Sequence, residues 1–598
     1  MKLKNFLNAF FAFSLSVCLV ACGGDNNDPD PAPKPDPTPT PTTGDPVLAD
    51  LTESQINGTT INASTTVAGL IKDSKTGKGI KGVPVTDGYS YTVTDDNGVY
   101  QMARASKSRK VYYTTPAEYE VYLDSKYSLP CFFSPGTFSS SKKYRVDFTL
   151  TPLAAVEDDF TLIAIGDPQC SVADEARRYS NETIKDIVSV SGSYKNVYAV
   201  TLGDITFDSA NLWSTMRASM SNVKAGGRTL PFFQCIGNHD HNSLMDDTGN
   251  DEDDDYRATL KYEETFGPTD YSFDRGKAHI IVMDDIMVTS KTTSSKYNEY
   301  TWEYNGGLTD TKMKWLNADL ANVSDKGNKL VILCMHIPLR GGSNSGGANV
   351  NKDKHYTDIL NALKQFKEAH VMIGHTHYPQ NYIHTGYKAA GGQPIYEHVH
   401  QAACGAWWSC NSSVIGAPNG YNIYTVSGAS IPDWVNKATG KEDTYQMRVY
   451  DGNQIYNGTK GFALNWYTAN QTAGSKSITV KGNANFKGCF VAEIWDDDDT
   501  NWKVELWQNG NKVGDFKRVA NGQSANVCVA AYYFNELGKN TTTWSSTTAS
   551  HYWYCAAPGG KAPADVTGWE VRATQTIPTS GKTKTYTRND MTKNYSEF

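Results

Sequence analysis

Apolar and polar positions divide this chain into stretches of different texture. Residues 6–20 form an apolar run behind Lys2 and Lys4, too short for a comfortable membrane span but the length of a signal-peptide core. From residue 29 to residue 41 every second position is proline. Such a stretch makes neither ladder nor helix, and an extended spacer is expected. Across residues 61–153, β-prone runs alternate with turn clusters: 67–71 before Asp73-Ser74-Lys75-Thr76-Gly77, then Val83-Pro84-Val85, then 92–100 around Asn97-Gly98. This pattern predicts a small antiparallel β-sandwich.

The texture changes at Phe160. Five short apolar runs follow, and each ends in a polar motif. Residues 160–165 lead into Gly166-Asp167-Pro168-Gln169, 197–202 into Gly203-Asp204, and 230–236 into Gly237-Asn238-His239-Asp240. Residues 329–335 lead into His336-Ile337-Pro338, and 370–373 into Gly374-His375-Thr376-His377. Helical periodicity intervenes, over 173–190 with Ile184, Ile187 and Val188 on one face, and over 311–321 with Met313, Leu316 and Leu320. Strands alternating with helices predict an α/β domain, and open α/β sheets gather ligands at the carboxyl ends of their strands. The five motifs are therefore expected to converge. After residue 400 strand-like runs with polar turns return, and ten of the 13 tryptophans lie there; a second antiparallel β domain is expected.

Length and composition narrow this picture. At roughly 100–200 residues per domain, 598 residues allow three to five domains. The texture resolves them as a leader (1–21), a linker (22–60) and three folded units (61–153, 154–400 and 401–598). A hydrophobic fraction of 39% suffices for packed cores and argues against a multi-span membrane protein. The net charge of −8 argues against a nucleic-acid polymer as partner, because phosphate binding needs a positive surface. Nine cysteines remain after Cys18 and Cys22, with no CxxC pair to suggest a zinc ribbon; Cys404 and Cys410 are close enough to be a candidate disulfide.

The strand-end motifs carry the chemistry. Asp204 has two oxygens able to bridge two cations, Asn238 offers an amide oxygen, and His336, His375 and His377 offer imidazoles. Such a mixed oxygen and nitrogen set suits transition metals. Two metals about 3.5–4 Å apart hold a bridging hydroxide and neutralise a phosphate at once.

The ordered set GDPQ…GD…GNHD…H…GHTH resembles the calcineurin-like metallophosphoesterase superfamily. The resemblance implies a four-layer αββα central sandwich flanked by two mainly β domains. It implies two divalent or trivalent ions (Mn, Fe or Zn) and hydrolysis of a phosphoric mono- or diester by a bridging hydroxide attacking phosphorus. Asp167, Asp204 and His377 are then expected at the first metal, and Asp204, Asn238, His336 and His375 at the second. His239 is expected to contact the phosphate and protonate the leaving oxygen, with Asp240 orienting it. Many members carry Asp-x-His where this chain has Asp167-Pro168-Gln169, so Gln169 either ligates the first metal weakly or hydrogen-bonds a metal-bound water. A subgroup shares the DPQ form.

Further resemblances frame the centre. Residues 61–153 resemble a carboxypeptidase-regulatory-like sandwich, which implies a spacer or docking unit. The segments Gly405-Ala406-Trp407-Trp408, Gln446-Met447-Arg448 and Val571-Arg572-Ala573-Thr574 resemble the carboxyl-terminal domain of secreted calcineurin-like phosphoesterases. Residues 262–274 resemble that family's FGP…YSF element. Leu19-Val20-Ala21-Cys22-Gly23 resembles a bacterial lipobox, which implies lipidation of Cys22. With Asp25, Asp28 and Asp30 close behind, it suggests an outer-membrane or cell-surface lipoprotein of a Gram-negative bacterium, or one facing the periplasm.

Residues 246–255 are expected as a solvated acidic loop; over the site it would disfavour highly anionic substrates, and at the surface it could instead bind calcium. Residues 340–352 are expected as a mobile rim from which Arg340 clamps phosphate. Trp407 and Trp408 are expected to wall the cleft and stack on a ring or sugar. His241, His279, His355, His370, His384, His398, His400 and His551 are read as structural or exposed rather than as ligands. The leading expectation is an envelope-anchored hydrolase acting on a small phosphoester. The competing one is a non-catalytic surface lipoprotein that binds glycan or protein around a relic metal site.

Overall fold

The computed structural model describes residues 44–598 apart from 242–247, 249, 294–299, 340–354, 458–462, 474–477, 497–500, 521, 540–547 and 549. The leader, most of the linker, Cys22, Arg340 and the rim loop lie outside the described residues.

Two sheets face each other at the centre. One orders Phe232–Cys235, Val197–Leu202, Asp159–Ile165, Gly420–Ser427 and Ser430–Ala438, with the first three parallel and the last two antiparallel. The other orders Tyr271–Arg275, Ala278–Val282, Leu330–Cys334, Glu368–Ile373, Pro394–Val399 and Gln380–Lys388. The apolar runs are continuous because both faces of these strands are covered. Phe160, Leu162 and Ala164 point into the core between the sheets, while Ile163 and Ile165 pack under helices with Ala176, Tyr179 and Met216. On the far side Trp315, Leu316, Ile359 and Leu360 of Asp310–Ala321 and Tyr356–Leu363 cover the second sheet. The layers are α, β, β and α, as expected. Two details differ. Val188 is exposed, so only Ile184 and Ile187 of the predicted face are buried. The hairpin Gly420–Ala438, which follows the boundary expected after residue 400, supplies the last two strands of the first sheet.

The acidic run is not simply a loop. Asn250 caps the helix Asp251–Ala258 by accepting from the amides of Glu252 and Asp253, and acids in the first turn suit the positive end of the helix dipole. Asp254 and Asp255 are buried; Asp255 accepts from the Val288 amide.

The amino-terminal sandwich is fused to the centre rather than spaced from it. Tyr91 Oη donates to Asp319 at 2.9 Å, Thr114 and Ser272 share a hydrogen bond, and Arg109 pairs with Glu263 at 2.7 Å. Thr115 bridges Phe273 of the YSF segment. This explains the FGP…YSF element. Gly267 has φ +94°, and a Cβ there would meet the Phe133 ring at 2.3 Å, so only glycine lets the amino-terminal domain seat. Gly267→Ala is therefore expected to lower the thermal unfolding temperature by at least ~2 °C; an unchanged melt would contradict this reading.

Beyond residue 440 two four-stranded sheets form the expected sandwich, with Trp502, Val504, Leu506, Trp553 and Val571 between them. All nine cysteines among the described residues are free, Cys404 and Cys410 included. The expected disulfide is absent: the Cys404 thiol meets the Gly405 carbonyl and the Cys410 thiol meets that of Ser412.

Candidate metal centre

The strand ends converge as the sequence implied. Asp204, His336 and His375 bring donor atoms within 4.8 Å of one another, and so do Asp167, Asp204 and His377. Asp204 belongs to both groups. Asn238 Oδ1 joins the first, 3.1 Å from His336 Nε2 and 3.0 Å from His375 Nδ1. Gln169 joins the second, its Nε2 donating to Asp204 Oδ2 at 3.0 Å.

The backbone is bent to present these groups. Asp167, Gln169, Asp204, His375 and His377 all have left-handed φ, between +41° and +70°. Each such non-glycine residue costs roughly 1–3 kcal/mol and persists only where its surroundings over-determine it. The surroundings do so here. Asp167 accepts from the His375 amide at 3.0 and 3.1 Å, and the Gln169 amide donates to the Asp204 carbonyl at 2.7 Å. A Cβ on Gly237 would lie 2.1 Å from the Asp204 nitrogen, which is why glycine precedes Asn238.

Electrostatics prepare the imidazoles differently. His336 Nδ1 donates to the Leu202 carbonyl at 2.7 Å, which turns Nε2 into the cluster. Burial works against charge on His336, but Asp204 and then Asp167 raise it to about 10. Burial, and the His336 charge, push His375 down to about 3; burial pushes His377 down to about 4. Both therefore keep their lone pairs available. Burial raises the Asp167 carboxyl; at Asp204 the charges of His336 and His239 overcome burial and hold the carboxylate ionised.

This arrangement is incomplete by itself and fits cations. His375 Nδ1 and His336 Nε2 face each other at 3.2 Å. Gln169 Oε1 and His377 Nδ1 are buried without a hydrogen-bond partner. Buried polar atoms are normally satisfied, and these orphans sit among carboxylates.

Two residues behave differently from the sequence expectation. Asp240 does not orient His239. Its buried carboxylate accepts from the amides of Ile205, Thr206 and Gly237 and ties two motif loops together. Asp208 orients His239 instead, meeting Nδ1 at 3.0 Å, while the Phe207 ring stacks on the imidazole at 4.2 Å and 22°. Burial opposes charge on His239, but Asp208 and Asp204 raise it to about 9. The only sequence signal for Asp208 is an acid four residues after Asp204 on the same strand-end loop. Trp408 is 7% exposed and gives a ligand little surface. Its Nε1 donates to the Pro168 carbonyl at 2.9 Å and Arg178 covers its ring, so it braces the Asp167-Pro168-Gln169 turn. Trp407 remains half-buried, its ring 5.1 Å from His377.

Sequence reasoning passed over Asp285, which accepts from the amides of His336 and Ile337 and anchors that loop. The histidines read as structural hold structural partners; His279, for example, lies between Asp274 and Asp319 at 2.7 and 2.8 Å.

Three family models match the chain: calcineurin-like phosphoesterase over residues 160–379, the N terminal of calcineurin-like phosphoesterase over 65–153, and the C terminal of calcineurin-like phosphoesterase over 397–578. No curated protein matches. Among solved structures, a dimetal phosphatase from Danio rerio aligns at 14% identity, covering 45% of this chain and 92% of that one, with a TM-score of 0.29.

Proposed function

Because this chain belongs to the calcineurin-like phosphoesterases and is a metallophosphoesterase, we propose that its two overlapping ligand groups hold a pair of metal ions that serve phosphoester hydrolysis assisted by His239. The supporting observation is the sharing of Asp204 between Asp204-His336-His375 and Asp167-Asp204-His377. Asp167, Gln169, Asp204 and His377 would hold one ion; Asp204, Asn238, His336 and His375 would hold the other. Such a pair of ions supplies a nucleophile at neutral pH and offsets the phosphate charge.

The remaining steps belong to the chain. Asp204 presents one oxygen toward His336 and the other toward Gln169. His239, held as imidazolium by Asp208, donates its proton to the ester oxygen as the phosphorus–oxygen bond breaks, so the alcohol leaves neutral. Asp240, Asp285 and Trp408 fix the loops and contact no substrate in this scheme.

The test is a screen of the metal-reconstituted protein against phosphoric mono- and diesters, following release of alcohol or phosphate. Turnover of at least one class is expected; metal-loaded protein that turns over none would refute the reading. We also propose an envelope location through lipid on Cys22, supported by Leu19-Val20-Ala21-Cys22. Incorporation of labelled fatty acid that persists in a Cys22→Ser variant would refute it.

A further inference from the structure

Three aromatic rings surround the ligand cluster, each against a different histidine. Phe207 stacks on His239, Tyr304 meets the edge of His375 with centroids 6.3 Å apart at 83°, and Trp407 leans on His377 at 5.1 Å and 55°. All three are half-buried. They come from separate backbones that are themselves held. The Phe207 amide donates to the Cys170 carbonyl at 3.0 Å. Tyr304 sits on the ribbon strand Tyr300–Gly306 opposite Val288, and Trp407 occupies a left-handed turn at φ +45°.

A carboxylate stands at the rim of these rings. Asp208 is exposed next to Phe207. A substrate carrying a second anionic group beside the ester would meet that carboxylate.

Geometry links the rings to the reaction. An alcohol that takes a proton from His239 must set its first carbons beside that imidazole, where Phe207 lies. We propose that Phe207, Tyr304 and Trp407 form an aromatic frame that selects phosphoesters whose organic group is flat and uncharged, such as aryl esters, over esters bearing further negative charge. This rests on the hydrolase reading above and names the substrate class of the same site.

Phosphonates separate the two ideas, because they keep the head group and do not react. The full chain, loaded with Mn²⁺, is assayed for inhibition by phenylphosphonate, methylphosphonate and phosphonoacetate, with metal content measured in each sample. Stacking on an aromatic side chain is worth enough to make phenylphosphonate about tenfold tighter than methylphosphonate. Phosphonoacetate should bind no tighter than methylphosphonate. Phe207→Leu and Trp407→Leu should each cut the phenyl preference at least ~threefold. Equal binding of phenyl and methyl forms, tightest binding of phosphonoacetate, or variants that weaken all three inhibitors alike would overturn the proposal; the last outcome would mean that the rings only brace the histidines. Phosphoester turnover without a phenyl preference defeats the aromatic frame alone. Absence of turnover and of phosphonate binding in metal-loaded protein defeats the hydrolase reading, and the frame with it.

Discussion

Asp204→Asn is expected to lower kcat/KM for phosphoester hydrolysis by at least about a thousandfold and to reduce bound metal from two ions per chain to one or none. The size follows from position. Residues that merely orient a metal ligand already cost about 10–100-fold when changed, and Asp204 is the one carboxylate common to both ligand groups. Asparagine keeps the shape and an oxygen to accept the His239 amide, which now reaches Asp204 Oδ1 at 2.9 Å. The fold should therefore survive, and circular dichroism and the thermal melt should match the parent. A variant that folds normally and retains both ions with full activity would remove Asp204 from the centre of the account.

His239→Gln is expected to lower kcat by about 10²–10⁴-fold, the usual contribution of a positioned acid or base, without loss of metal. Two further observations would separate proton donation from simple contact. Asp208→Asn should reproduce a smaller part of the loss, about tenfold, because His239 then lacks the carboxylate that stabilises its charge. The pH profile should also carry the sign of an acid. Asp208 and Asp204 raise the His239 pKa to about 9, so the proton is present below that value and lost above it. Nearby cations oppose an imidazolium, so the alkaline limb of kcat should fall at or below about pH 9 and move lower in Asp208→Asn. A profile that rises through this region would assign His239 another task.

Much of the central architecture was legible because its signals are local. An apolar run buried on both faces needs no partner to be recognised, and each run ended on a glycine or polar turn carrying a donor residue. The ligand atoms of Asp204, His336, His375, Asp167 and His377 could be expected to meet because parallel strands aim their carboxyl ends at one edge. What stayed hidden depends on the third dimension. Asp208 reaches His239 only because Asp208 itself takes a left-handed turn at φ +51°, and no spacing rule announces such a turn. Asp240, next to the catalytic candidate in sequence, faces the loop amides instead. Trp408 is a large ring three residues after Gly405, which reads equally well as a platform or a buttress; its bond to the Pro168 carbonyl decides for the latter. The strands Gly420–Ser427 and Ser430–Ala438 join a sheet begun some 250 residues earlier in the chain, a pairing that alternation alone cannot announce. The acidic run hides a helix because its composition resembles a solvated loop, while the Asn250 cap and the helix dipole favour acids in the first turn.

Function was legible at the level of reaction class and not of substrate. The donor set is common to monoester and diester chemistry, so selectivity must come from groups around it. The half-buried rings of Phe207, Tyr304 and Trp407 lie far apart in the chain and become neighbours of the histidines only in the folded protein.

The central claim is that one carboxylate joins two metal positions into a single hydrolytic unit. The most direct measurement removes all metal with a chelator, adds Mn²⁺ in steps, and records bound ions per chain alongside phosphoester turnover. The account predicts no turnover without metal and full turnover only as the second equivalent binds. Saturation of activity at one ion per chain, or two bound ions with no turnover of any phosphoester, would contradict it.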